Sequence, residues 1–141
     1  NKPSHGATDI SVALEHLNRV IRKRAVVFVI SDFMGAGYER TMRIVNGRHD
    51  VVAVRIVDPR EMALPNVGIL EVEDAETGEI MLIDTRSRRV RGEYEADAAR
   101  EADEMDSTFR SMGVDQMIVR SDKPYVHSLM TFFRMREKRR R

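Results

Sequence analysis

Apolar residues fall at Ile10, Ala13, Leu14, Leu17, Val20 and Ile21 with polar residues between them, the spacing of one face of an α-helix. The helix predicted here opens at Thr8 as N-cap, carries Asp9 in its first turn, where a carboxylate complements the helix dipole, and finishes in Arg22-Lys23-Arg24. The pattern then changes. Residues 25–30 are uniformly apolar and rich in β-branched types, which suits a central strand covered on both faces, as in parallel sheets. Gly35 and Gly37 mark a loop, and Tyr38 to Asn46 repeats a helical pattern through Met42 and Val45. Gly47 is placed to end that helix, and a second strand, Val51 to Val57, follows at once.

Strand, helix and strand in this order imply a right-handed parallel crossover. Pro59 and Pro65 break the regularity, after which Gly68 to Glu73 and Glu79 to Asp84 flank a Gly-containing turn and read as an inserted hairpin. From Arg91 to Met112 an apolar stripe of Tyr94, Ala98, Ala102, Met105, Phe109 and Met112 runs through a highly charged segment, with Gly113 placed to close the helix. Val114 to Arg120 is a further strand. Asp122 and Pro124 open a last helix whose expected buried face carries Val126, Leu129, Met130 and Phe133. The predicted order is α-β-α-β-hairpin-α-β-α, an α/β class with a mainly parallel sheet.

Composition narrows the function classes. The 141 residues suit one domain, and 24 Lys and Arg against 23 Asp and Glu leave a net charge of +1, with no global attraction to nucleic acid. Cysteine is absent, which excludes disulfides and thiolate zinc sites. No apolar stretch approaches the ~20 residues that span a bilayer, and no secretory leader is visible, so the expected location is cytoplasmic. The opening Asn1-Lys2-Pro3 lacks an initiator methionine, and the expectation is a chain that continues upstream, where a membrane anchor is open to the full-length protein.

The run His5-Gly-Ala-Thr-Asp-Ile-Ser-Val-Ala-Leu14, followed by Val26 to Asp32, resembles the second half of a von Willebrand factor A domain. Ser31-Asp32-Phe33, Arg48 to Arg55, Asp58-Pro-Arg-Glu61, Leu64-Pro65, Gly68, the Asp74 to Gly78 turn and Asp84-Thr85 together resemble bacterial domain-of-unknown-function family 58. The resemblance implies a partial von Willebrand A-like, Rossmann-like three-layer sandwich, with residues 1–141 a single domain forming the C-terminal part of a larger one. In von Willebrand A domains a divalent cation sits above the strand ends, held by an Asp-x-Ser-x-Ser loop, a Thr and a further Asp. By resemblance Thr8 matches the Thr and Asp32 the last Asp, whereas the Asp-x-Ser-x-Ser loop is missing. The implied metal site is an incomplete half-site, with no cofactor in this chain and Mg²⁺ or Mn²⁺ reserved for the full-length protein. One hydroxyl and one carboxylate hold magnesium poorly, because it wants six oxygens in near-octahedral geometry.

The leading expectation is a non-enzymatic protein-interaction module. The family resemblance implies a MoxR-type AAA+ ATPase as partner, with a role in assembly or maturation of other complexes. The resembled fold also implies a missing strand beside residues 25–30, so self-association through that apolar edge, most simply as a homodimer, is expected. Two alternatives stand beside it. Asp32 and Asp58 end successive strands and could converge on a cation for hydrolysis. The basic tail Arg134 to Arg141 could bind anions, although no stacking aromatics interleave its charges and no specific nucleic acid is expected. His5, His16, His49 and His127 lack metal-ligand spacing and read as surface or packing residues, and the methionines at 81, 105, 112, 117, 130 and 135 read as core filler.

Overall fold

The computed structural model describes residues 9–74 and 77–139. In chain order the elements are α1 (Ile10–Val20), β1 (Val26–Ser31), α2 (Glu39–Arg48), β2 (Asp50–Val57), α3 (Pro59–Met62), β3 (Ile69–Glu73), β4 (Ile80–Asp84), α4 (Arg88–Ser111), β5 (Asp115–Arg120) and α5 (Tyr125–Arg139). This is the expected α/β order with one addition, the single turn α3, which starts where Pro59 occupies the first helical position and Asp58 caps it. The chain forms two compact units, one from Asn1–Val57 with Asp106–Arg141, the other from Asp58–Met105.

The first unit is built on a parallel sheet of order β1-β2-β5, with Val26 opposite Asp50 and Val52 opposite Asp115. The central strand is therefore β2, and its Val51, Val52, Ala53 and Val54 are all buried. The placement of residues 25–30 as a central strand is corrected: among the described residues β1 has a neighbour on one side only, and Val26, Phe28 and Ile30 are 53%, 42% and 68% exposed. A uniformly apolar run marks a strand that expects cover, and does not say whether the described chain supplies it.

Residues on alternate sides of β2 serve different layers. Val52 and Val54 join Met117, Val119 and Phe132 in one core cluster, with Leu129 packed against it. Helix α2 packs on β2 through buried Met42 and Val45, and α1 packs on α2, with Leu14 its fully buried residue. Burying side chains of this size contributes about 1.5–3 kcal/mol each.

Four local expectations shift. The first residue of α1 is Ile10, and its cap is Asp9, whose Oδ1 accepts the Ser11 and Val12 N–H groups at 3.0 and 3.4 Å. Thr8, expected in that role, lies outside the described residues. Helix α2 runs through Gly47 to Arg48 and ends with the His49 N–H donating to the Val45 carbonyl at 2.8 Å, so Gly47 is an interior residue rather than a terminator. On α5 the buried residue is Phe132, while Val126, Met130 and Phe133, expected in the core, are exposed. Met81, Met130 and Met135 are likewise exposed, whereas Met112 and Met117 are buried as core filler should be.

The second unit holds the expected hairpin, β3 and β4 pairing antiparallel with Ile69 opposite Asp84. The long helix α4 follows, with Tyr94, Ala98, Ala102 and Met105 the less exposed positions along it. In the turn, Asp74 Oδ1 accepts the Thr77 N–H at 2.9 Å, and Gly78 takes a φ of 71°, a left-handed conformation that glycine adopts without steric cost. Thr85, fully buried, donates its hydroxyl to the Gly68 carbonyl and accepts the Val67 N–H at 3.1 Å, which ties the start of β3 to the end of β4.

Candidate functional site

In a parallel sheet the carboxyl ends of the strands are where chain direction changes and where ligands and partners usually bind. At the end of β1 the chain turns sharply. Ser31 Oγ accepts the Phe33 N–H and Asp32 Oδ1 accepts the Met34 N–H, both at 3.1 Å, so two short side chains fold the backbone over themselves. Between them Phe33 adopts a φ of 57°, a left-handed conformation costly for a bulky residue, roughly 1–2 kcal/mol.

The strain is held by packing. Phe33 is buried, with its ring 5.6 Å from Tyr38 and 5.0 Å, edge-on, from Phe109. Tyr38 stacks on Phe109 in turn at 6.4 Å. Burial of the Phe33 ring contributes about as much as the strain costs or more. Burial raises the Tyr38 phenol above its ordinary value, Glu39 pushes it the same way, and Arg55 opposes both.

Phe33 and Tyr38 thus anchor a loop whose intervening residues face solvent. Asp32 is exposed, Met34 is 72% exposed, and Gly35, Ala36 and Gly37 are exposed. The Ser11 hydroxyl donates to the Gly37 carbonyl at 3.2 Å, pinning the loop to the first turn of α1. Asp9, Ile10 and Ser11 with Gly35 to Tyr38 line a shallow cleft of about 480 Å³.

Of the residues singled out in the sequence, Asp32 stands at this loop and Asp9 at its margin, as a helix cap. Thr8 lies outside the described residues, as does His5. Asp58 caps α3 in the second unit, where its two oxygens take Arg60 Nε at 3.2 Å and Nη2 at 3.0 Å. Those hydrogen bonds, with that from the Arg60 backbone, hold its carboxyl below the ordinary value. His49 is buried, its Nδ1 accepting the Ala25 N–H at 3.2 Å, while His16 and His127 are on the surface.

Sequence reasoning missed Phe33, Tyr38 and Arg55. The last had a signal: an arginine among the apolar residues Val51 to Val57, half-buried and paired in register with Ser31. Magnesium or manganese needs several converging oxygens. Among the described residues no group of three His, Asp or Glu is placed to hold such an ion, and Asp32 and Asp9 each spend an oxygen on backbone N–H groups. The described donors do not fit a metal site.

Residues 1–104 match the family described as Protein of unknown function DUF58. The chain is similar to the uncharacterized protein MAV169 of Mycobacterium avium, 30% identical over 92% of this chain and 77% of the relative. It is also 32% identical to the uncharacterized protein Rv1480 of Mycobacterium tuberculosis and to Mb1516 of Mycobacterium bovis, over 92% of this chain but only 41% of each relative. No solved structure matches the chain. A family match covering residues 1–104, most of the chain, and relatives aligned along nearly all of it lead to one assignment: the chain belongs to the DUF58 family of proteins of unknown function.

Proposed function

We propose that the chain is a non-enzymatic protein-interaction module of von Willebrand A-like type, which docks its partner at the loop from Asp32 to Tyr38. The observation that carries this reading is the loop itself. Buried Phe33 and Tyr38 hold it rigid while Asp32 and Met34 stand exposed, so a carboxylate and a flexible apolar side chain are presented with little ordering left to do on binding. The proposed partner is a MoxR-type AAA+ ATPase, with the pair acting in assembly or maturation of other complexes. A second contact, self-association, is proposed at the open edge of β1. The hydrolytic alternative draws less support, because the Asp58 carboxylate is engaged on both oxygens by Arg60.

The test is binding of the purified ATPase to the immobilised chain, compared with the Asp32→Ala and Met34→Asp variants. Both residues are exposed, so the fold should persist. Loss of a central apolar contact and of a charge contact should each weaken affinity by about tenfold or more. Unchanged affinity in both variants would move the docking surface elsewhere. Phosphoesterase turnover with Mg²⁺ or Mn²⁺ that disappears in Asp32→Ala would instead establish the hydrolase.

A further inference from the structure

The opposite end of the first unit, where the strands begin, collects cations from three segments remote in sequence. Arg22, Lys23 and Arg24 fill the link from α1 to β1, and all three are exposed. Arg48 donates from Nη1 to the Asn18 carbonyl at 3.0 Å and from Nη2 to the Arg22 carbonyl at 3.1 Å, so the C-terminal ends of α1 and α2 meet. The Ala25 carbonyl accepts the Asp50 N–H at 2.9 Å, which brings that link beside the start of β2. Arg136 bridges Asp50 at 2.5 Å and Asp115 at 2.9 Å, which brings the last turns of α5 to the same place.

Two of the acidic groups at this end are already paired. Asp50 and Asp115 pair with Arg136 and Arg139, leaving Glu137 as the exposed carboxylate beside the groove described below. Among the described residues Arg22, Lys23, Arg24, Arg48, Arg134 and Lys138 make no ion pair. Apolar side chains lie alongside them: Val26, Leu129, Met130 and Phe133 line a groove of about 560 Å³ whose rim carries Arg134.

We propose that this end of the unit docks on an anionic lipid bilayer. Its cations meet headgroup phosphates while Phe133 and Met130 reach the acyl boundary. The helix ends gathered here are the C-terminal ends of α1, α2 and α5, whose carbonyls repel a single anion, so the site is not a phosphate pocket. Long cationic side chains spread over several segments suit an extended anionic surface. Two observations favour a bilayer over nucleic acid. The Phe133 ring, 47% exposed, packs edge-on with Phe28 at 6.4 Å and with Phe132 at 5.7 Å, so its open surface belongs to an apolar cluster rather than to an isolated stacking platform. Exposed apolar side chains beside the cations gain nothing against a sugar-phosphate backbone, but gain free energy among acyl chains.

The test is co-sedimentation of the intact chain with vesicles of phosphatidylcholine alone and of phosphatidylcholine with a third phosphatidylglycerol. Binding should occur only to the anionic vesicles and weaken as salt rises above about 0.15 M. Joint Arg22→Glu, Lys23→Glu and Arg24→Glu substitution should lower partitioning by roughly 100-fold or more. Phe133→Ser should lower it by about tenfold, and Arg134→Glu with Lys138→Glu keeps the test open if Phe133→Ser unfolds the chain. A chain that ignores anionic vesicles, binds both vesicles equally, or binds duplex DNA or polyglutamate but no vesicle would overturn the proposal.

Discussion

Thr85 shows how much one hydroxyl can carry. It is fully buried, donates to the Gly68 carbonyl and accepts from the Val67 N–H, while Arg91 donates to its carbonyl. Thr85→Val keeps the shape and removes both bonds of the hydroxyl, while the Gly68 carbonyl keeps the Thr85 N–H at 2.8 Å and the Val67 N–H keeps the Pro65 carbonyl at 3.1 Å. It should destabilise the second unit by about 0.5–1.5 kcal/mol, read as a lower denaturant midpoint, and an unchanged midpoint would show that the backbone bonds alone hold this junction. Residues of this kind are hard to read from a sequence. Asp32 and Asp58 were legible as strand-end carboxylates, because turn-forming acids after an apolar run need no distant partner. Their different surroundings were not: Asp58 is engaged by Arg60 two residues away, whereas Asp32 spends one oxygen on Met34 and otherwise faces solvent. Nothing local announces that Phe33 sits at a φ of 57°, since the packing that holds it comes from Tyr38 and Phe109.

At the scale of elements, one device recurs where strands end. Asp58 pairs with Arg60 after β2, Asp84 with Arg86 after β4, and Arg120 with Asp122 at the end of β5, each across a single intervening residue. In every pair the arginine side-chain hydrogen bond is the first cause that holds the aspartate below its ordinary value of 3.8. A depressed folded-state pKa adds stability that is complete above the unfolded value and is lost as pH falls through the folded one. A variant with all three aspartates changed to Asn should therefore melt below the parent near neutral pH, and the gap should close as pH falls below about 3.8. Because the pairs are exposed, salt should narrow the gap, and a gap that ignores pH would remove the carboxylates from the account. Element identity was largely legible from periodicity, including the α4 stripe and the hairpin. The face of α5 was not, because Phe132 and Phe133 are adjacent apolar residues and only the position of the sheet beneath selects one for the core.

At the scale of the whole molecule, the first unit leaves an apolar strand edge uncovered among the described residues. An edge of this kind pairs with another chain unless a charge or a covering segment prevents it. Sedimentation velocity should show a two-fold dimer of the chain at high concentration, and Ile30→Lys, a change at a position 68% exposed, should shift it to monomer without lowering its melting temperature. A parent that stays monomeric would show that the edge is protected. What the sequence determined by itself was the succession of helices and strands, the parallel crossover and the inserted hairpin, because periodicity, turn residues and chain handedness act over short separations. The tertiary structure alone decided that β2 rather than β1 is the central strand, that three aromatic residues lock the loop after Asp32, and that cations from the α1–β1 link, α2 and α5 converge on one end. Each depends on which distant segments meet, and that is set by burial and packing across the sheet rather than by any local preference.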